Sequence, residues 1–342
     1  MNDCRRENFA FVTLAQVLGC LLVIFGHSYP FVTDVPKWII DVRTFIYCFH
    51  MPLFVWCSGY LLVKTESSLR YSFSQYAVRR AKKLIVPYIA LSLIGLVPKV
   101  LFSGLLNDTL RFDDEMLIRA FLVPRENIWG HFWFLPMIFL MGLAGFVADK
   151  ICHSQKMRSC FFGAFTIIFV CGSFISFKGD AWLGIRDFLD YFWMYCFGAF
   201  CATFTAKSDY RAGGILSAIL SVAGVVMFLF MKDAQGISRK LLGMFIAALM
   251  TMAVVFLCRH LEKSIKIPSG SVLTQTFTVF ILSWPCQLLA EVVTERLLGL
   301  PTILVMLSMF IAGIAGSVII IKLIDFLESK THTKTLSFLL GR

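Results

Sequence analysis

Three of the six histidines, His27, His50 and His131, lie within strongly apolar stretches of the chain. An imidazole with an ordinary pKa of about 6.5 can take a proton from a hydroxyl at neutral pH. Ionisable groups are costly in such surroundings and mark sites by default. Arg43 precedes His50 by seven residues, which places both on one helix face. Arg186, Asp187 and Asp190 cluster within five residues, and Trp284 and Gln287 add an indole and an amide donor. A second chemistry sits in the run Arg79-Arg80-Ala81-Lys82-Lys83, where cationic side chains could cradle the phosphates of a nucleotide-bearing donor through charge-assisted hydrogen bonds. Each group also has a purely structural reading. Arg186 and Asp190 are spaced to neutralise one another, Arg43 is near enough to a helix end to snorkel, and His50 suits a hydrogen-bonded core histidine. The basic run also suits a topology anchor.

The elements that must position these groups are membrane helices. Of 342 residues, 58% are hydrophobic, 35 are Phe and only 15% are charged, too little charge to cover a soluble protein of this size. A bilayer core needs about 20 apolar residues per helix. Ten runs of that length are present, at 9–31, 39–62, 83–103, 128–148, 159–177, 182–205, 212–231, 240–258, 270–291 and 299–321. The fold class expected is therefore all-α, a single domain over 1–342 with ten transmembrane helices. The first run follows Arg5 and Arg6 but is long, carries Gln16 and His27, and ends without a small-residue cleavage site, so it reads as a retained helix.

The net charge of +11 does not point to nucleic acid, since there is no RNA-binding signature and no long basic tail. The basic residues sit between the apolar runs and are distributed unevenly. Counting Lys83 and Lys240, the first residues of their runs, with the loops before them, the N-terminus, even-numbered loops and C-terminal tail hold 20 Lys and Arg and the odd-numbered loops 9, with Arg43, Lys99 and Arg186 inside runs. The positive-inside bias then puts both termini in the cytoplasm. In that orientation His27, Arg43, His131, Arg186, Asp187 and Asp190 all fall at the outer level, together with Trp284 and Gln287. The run at Arg79–Lys83 falls at the inner face. Cys20, Cys48, Cys57, Cys171, Cys196, Cys201, Cys258 and Cys286 lie inside apolar runs, and neither CxxC pairs nor Cys/His metal spacing occurs, so no metal is expected.

Several motifs in chain order carry a family resemblance. They are Leu22-Val23-Ile24-Phe25-Gly26-His27-Ser28, Phe49-His50-Met51-Pro52-Leu53-Phe54 with Ser58-Gly59-Tyr60-Leu61, Arg79-Arg80 through Pro87-Tyr88, His131-Phe132-Trp133-Phe134-Leu135, and Leu282-Ser283-Trp284-Pro285-Cys286-Gln287. Together they resemble the acyltransferase-3 family of integral membrane acyltransferases, in the form that acetylates surface polysaccharides. The resemblance implies acyl transfer from acyl-CoA, acetyl-CoA being the expected donor, to a carbohydrate hydroxyl on a surface polysaccharide or its lipid-linked precursor. It implies a multi-pass protein of a bacterial inner membrane, with lipids, acyl-CoA and glycan as partners. It makes His27 the catalytic base and places Arg79, Arg80, Lys82 and Lys83 on the CoA phosphates. His131, Trp133 and Arg43 are candidate donors to the oxyanion. His50, Trp133, Arg186, Asp190, Trp284 and Gln287 are candidate contacts to the acceptor. One departure is clear: Gln16 and Thr13 stand where the family carries a basic and an acidic residue before its histidine, and Arg43 is the candidate substitute.

The expected arrangement is a through-membrane one, with the CoA head on the basic stretch and its pantetheine arm reaching the acceptor near His27. Sugar specificity would lie in loops such as 104–127 and 178–181. The alternative from another class is a transporter or flippase of lipid-linked sugars, which uses polar residues at membrane depth equally well. A non-catalytic partner in a polysaccharide complex is a third. Consumption of a thioester separates the enzyme from both.

Overall fold

The computed structural model describes residues 9–30, 35–101, 114–175, 182–204, 210–265, 268 and 271–342. Among these residues the chain is helical, with no strand. The long helices are α1 (Ala10–His27), α2 (Lys37–Lys64), α3 (Phe73–Leu101), α4 (Phe134–Lys150), α5 (Gln155–Gly172), α6 (Ile185–Ala202), α7 (Tyr210–Asp233), α8 (Gly236–Leu261), α9 (Thr276–Glu291) and α10 (Thr302–Thr331). Each coincides with one of the ten apolar runs. Among the described residues, seven stretches are long and apolar enough to cross a membrane: α1, α2, Gly130–Lys150, Ala212–Asp233, α8, Thr276–Leu297 and α10. The protein is thus a multi-pass integral membrane protein. Of the helices outside the seven, α5 and α6 carry charged residues in their opening turns, and α3 carries Arg79, Arg80, Lys82 and Lys83 in its second and third turns.

Two helix boundaries differ from expectation. The helix α3 begins at Phe73, ten residues before its apolar run, so Arg79, Arg80 and Lys82 lie on a helix and not in a loop. Hydropathy marks where a helix is apolar, and the charged turns that extend it are invisible to that measure. For the same reason α10 continues to Thr331, through Lys322, Asp325 and Glu328. Loop 104–127 contains a helix, Asp114–Leu122, and a 3-10 turn, Pro124–Glu126. Its part 104–113, and the loop 178–181, lie outside the described residues.

The chain divides into two compact units, neither of them a single continuous segment. The first is Met1–Cys57 with Ala206–Phe326, and the second is Ser58–Thr205 with Leu327–Arg342. In the first, α1 packs on α8 and α9, and α7 pairs with α8. Gly224 brings α7 onto Met250 of α8, since a Cβ there would lie 2.5 Å from the Met250 sulfur. Small residues allow such close approach where lipid gives no hydrophobic drive to associate.

In the second unit α4 packs on α3 and α6, and α5 on α6. Gly59 faces the Tyr195 backbone so closely that a Cβ would overlap the Tyr195 carbonyl. Asp149, at the end of α4, is almost wholly buried. It pairs with Arg158 Nε at 2.5 Å and accepts a hydrogen bond from Ser68 in the short helix Ser67–Arg70. Burying a carboxylate is tolerable only with such partners.

Candidate functional site

In the first unit the candidate base is the last residue of α1, and the local sequence dictates how that end must be held. A helix leaves its last four carbonyls without internal donors. The carbonyl of Gly26 has no donor four residues on because that residue is Pro30, which lacks an N–H. Two side chains from α2 supply what Pro30 cannot: Tyr47 donates its hydroxyl to Gly26 O at 2.9 Å, and Arg43 Nε donates to it at 3.2 Å. Two residues earlier, Ile24 O accepts from Ser28 N at 3.0 Å, Ser28 Oγ at 2.8 Å and Gln287 Nε2 at 2.7 Å. Gln287 also donates to Ser28 Oγ at 2.8 Å. The end of α1 is therefore held by α2 at Gly26 O, and by α9 at Ile24 O and the Ser28 side chain.

The imidazole of His27 is half-buried and lies among aromatic rings. Trp284 meets it edge-on with centroids 5.1 Å apart, and Tyr47 lies at 5.9 Å. Tyr47 in turn packs on His50 at 4.9 Å. Room for Tyr47 comes from Gly26, where a Cβ would lie 3.0 Å from the tyrosine ring. Room for Gln287 comes from Gly313 on α10, where a Cβ would lie 2.9 Å from Gln287 Cγ. Next to Trp284, Pro285 sits inside α9 and removes one intrahelical hydrogen bond.

Five of the residues singled out in the sequence, His27, Arg43, His50, Trp284 and Gln287, are thus brought into one cluster. Their parts differ from the expected ones in detail. Arg43 spans Gly26 O and the Tyr47 hydroxyl (Nη2 to Oη, 3.3 Å), with its guanidinium 4.4 Å above the Tyr29 ring. A cation at a helix C-terminus is favourably placed against the macrodipole. Arg43 therefore fixes the end of α1 and has only its remaining N–H groups for a reacting group. His50 is buried, and its Nδ1 donates to Ile46 O at 2.9 Å, which leaves Nε2 as the acceptor nitrogen in the neutral ring. Tyr47, which touches His27, Arg43 and His50, was not singled out from sequence. Gln16, half-buried on α1, lies eleven residues before His27.

The second unit holds the basic stretch and the remaining candidates. Arg79, Lys82 and Lys83 are exposed, and Arg79 lies 4.7 Å over the Tyr71 ring. Arg80 turns inward, donates through Nη2 to Ile138 O at 2.9 Å and fills the space left by Gly142, where a Cβ would lie 2.7 Å from it. The exposed trio is thus open to a polyanion, while Arg80 ties α3 to α4. His131 is buried in the 3-10 turn Gly130–Trp133 and meets Phe132 edge-on at 4.6 Å. Trp133 lies beneath Arg125, whose guanidinium carbon is 4.2 Å from the ring centroid. Arg186 is exposed and Asp190 is half-buried. The acidic neighbour Asp187 is buried and pairs with Arg125, through Nε at 2.8 Å and Nη2 at 2.5 Å.

Among the described residues no three His, Cys, Asp or Glu side chains converge as a metal ion requires. A family model described as an acyltransferase domain matches residues 9–322. No curated protein and no solved structure matches the chain.

Proposed function

The chain belongs to this acyltransferase family, matched over nearly its whole length, and on that premise we propose that it moves an acyl group, acetyl in the first instance, from acyl-CoA to a carbohydrate hydroxyl. The observation that carries this reading is the clamped end of α1. A base must hold one orientation through a reaction, and here the carbonyl before His27 is bonded to Tyr47 and Arg43, while Gln287 holds Ile24 O and the Ser28 hydroxyl.

The steps follow from that placement. His27 takes the proton of the acceptor hydroxyl as its oxygen attacks the thioester carbonyl. The negative charge then rests on the former carbonyl oxygen, for which the free N–H groups of Arg43, and His131 and Trp133, are the candidate donors. Collapse breaks the carbon–sulfur bond, and the CoA thiolate takes the proton from His27 and leaves as free CoA. Trp284 and Gln287, with His50, Trp133, Arg186 and Asp190, are assigned to the acceptor. Arg79, Lys82 and Lys83 are assigned to the donor's phosphates, with Arg80 holding their helix. The setting proposed is a bacterial inner membrane crossed ten times, with both termini in the cytoplasm. The surplus of Lys and Arg in the even-numbered loops supports it.

The reaction is tested by incubating purified protein in lipid with acetyl-CoA and a surface-polysaccharide fragment. Release of free CoA that depends on the fragment supports transfer. An intact thioester with the acceptor present would favour the transporter reading.

A further inference from the structure

The second unit holds a cation whose setting differs from that of an ordinary ion pair. Asp187 lies in the first turn of α6, entered through the tight turn at Leu183 and Gly184 (φ 55° and 77°). Its side chain is 3% exposed, that of Arg125 49%. Nε and Nη2 of Arg125 both donate to the same oxygen, Oδ1. The other oxygen, Oδ2, is buried without a hydrogen-bond partner among the described residues. The buried carboxylate is thus turned to one purpose, fixing the guanidinium from behind.

In front, the guanidinium is open. It carries five N–H donors, two of which go to Asp187, so both donors on Nη1 and one on Nη2 remain. That outer edge is the planar fork that matches a carboxylate or phosphate with two parallel hydrogen bonds. The guanidinium carbon lies 4.2 Å over the Trp133 ring, and the Trp133 ring continues to Tyr191 at 5.7 Å. Stacking and the Asp187 bonds fix the orientation of Arg125 before any ligand arrives, so little rotamer freedom is left to lose on binding. A pair serving stability alone would not need the fork held half in the open on an aromatic floor.

We propose that Arg125 recognises the charged group of an acidic acceptor sugar, a carboxylate or phosphate carried on the glycan. Trp133 and Tyr191 pack against the apolar face of the ring. Asp187 is a positioning residue that acts through Arg125. The inference rests on a carbohydrate being the acceptor, and it narrows that acceptor to an anionic one.

The test reads binding without any acyl donor, so its outcome is independent of whether His27 performs transfer. Full-length protein in phosphatidylcholine nanodiscs is titrated calorimetrically with a uronate-containing oligosaccharide and with its methyl ester. The acid form is expected to bind about 10-fold more tightly than the ester, the scale of a charge-assisted bidentate contact. Arg125→Gln should remove that preference and leave ester binding unchanged, while Trp133→Leu should weaken both forms. Because Arg125→Gln strands a buried carboxylate, Arg125→Gln/Asp187→Asn is measured beside it and should behave alike. Equal binding of acid and ester overturns the proposal, as does a preference that survives Arg125→Gln or Arg125→Gln/Asp187→Asn. Displacement of the acid form by phosphatidylglycerol in the nanodisc also overturns it, since the site would then serve a lipid headgroup.

Discussion

The Gly26 carbonyl offers a quantitative test of how the end of α1 is held. Pro30 denies it a backbone donor, and two side chains replace that donor redundantly, the Tyr47 hydroxyl at 2.9 Å and Arg43 Nε at 3.2 Å. Tyr47→Phe removes one and keeps the ring that packs on Gly26, and Arg43→Met removes the other and keeps an apolar stem. Each single variant leaves the carbonyl one partner, so each should cost only about 0.5–1 kcal/mol, the range of hydrogen bonds within membrane bundles. The double variant leaves the carbonyl with neither, a penalty of about 1–3 kcal/mol beyond the lost bonds. The 3.3 Å contact between Arg43 and Tyr47 is lost in both singles and once in the double, which offsets roughly 0.5 kcal/mol of that excess. The double should therefore exceed the sum of the singles by about 1 kcal/mol or more, a coupling typical of groups sharing one partner. The assay is equilibrium unfolding in mixed micelles, run as a full cycle. Additivity within about 0.5 kcal/mol would refute the shared-acceptor argument.

Three further outcomes follow from the packing. Gly313→Ala places a Cβ 2.8 Å from Ile24 Cγ2 and 2.9 Å from Gln287 Cγ, so the Gln287 amide should leave α1. Acetyl transfer should then fall by roughly 10- to 100-fold with helix content unchanged by circular dichroism. Asp149→Ala strands Arg158 and the Ser68 hydroxyl and should cost about 3–5 kcal/mol in thermal or denaturant unfolding, with part recovered by adding Arg158→Met. Cys152, just beyond α4, has its thiol pushed above the usual range by burial and then by the Asp149 carboxylate. Its alkylation should lag that of a free thiol at pH 8 and accelerate as pH rises further, which peptide mass spectrometry can follow.

The helices were legible because apolar length alone decides where a chain can cross lipid, and all ten runs became helices. Their ends were not, because Phe73–Lys83 and Lys322–Thr331 continue their helices on charged residues. Within the site, His27, Arg43, His50, Trp284 and Gln287 stood out as polar groups in apolar runs, and they do cluster. Tyr47 escaped notice because an aromatic residue in a membrane helix carries no such signal. The clue was indirect: Pro30 leaves Gly26 O in need of a donor, and Tyr47 is four residues from Arg43 on the next helix. The Arg125–Asp187 pair was hidden for a different reason. Its members are 62 residues apart, whereas local spacing favoured pairing Arg186 with Asp190. Spacing along one helix reveals neighbours on that helix and is silent about partners brought in by packing.

The measurement that bears most directly on the account is acyl transfer by His27→Ala in reconstituted membranes, scored as acetylated glycan by mass spectrometry beside an unfolding curve. The account requires that product disappear while the unfolding midpoint stays close to that of the unaltered protein, since the clamp acts on the backbone around His27 and not on its ring. Product formed at an undiminished rate by the alanine variant would contradict it and would remove His27 from the chemistry.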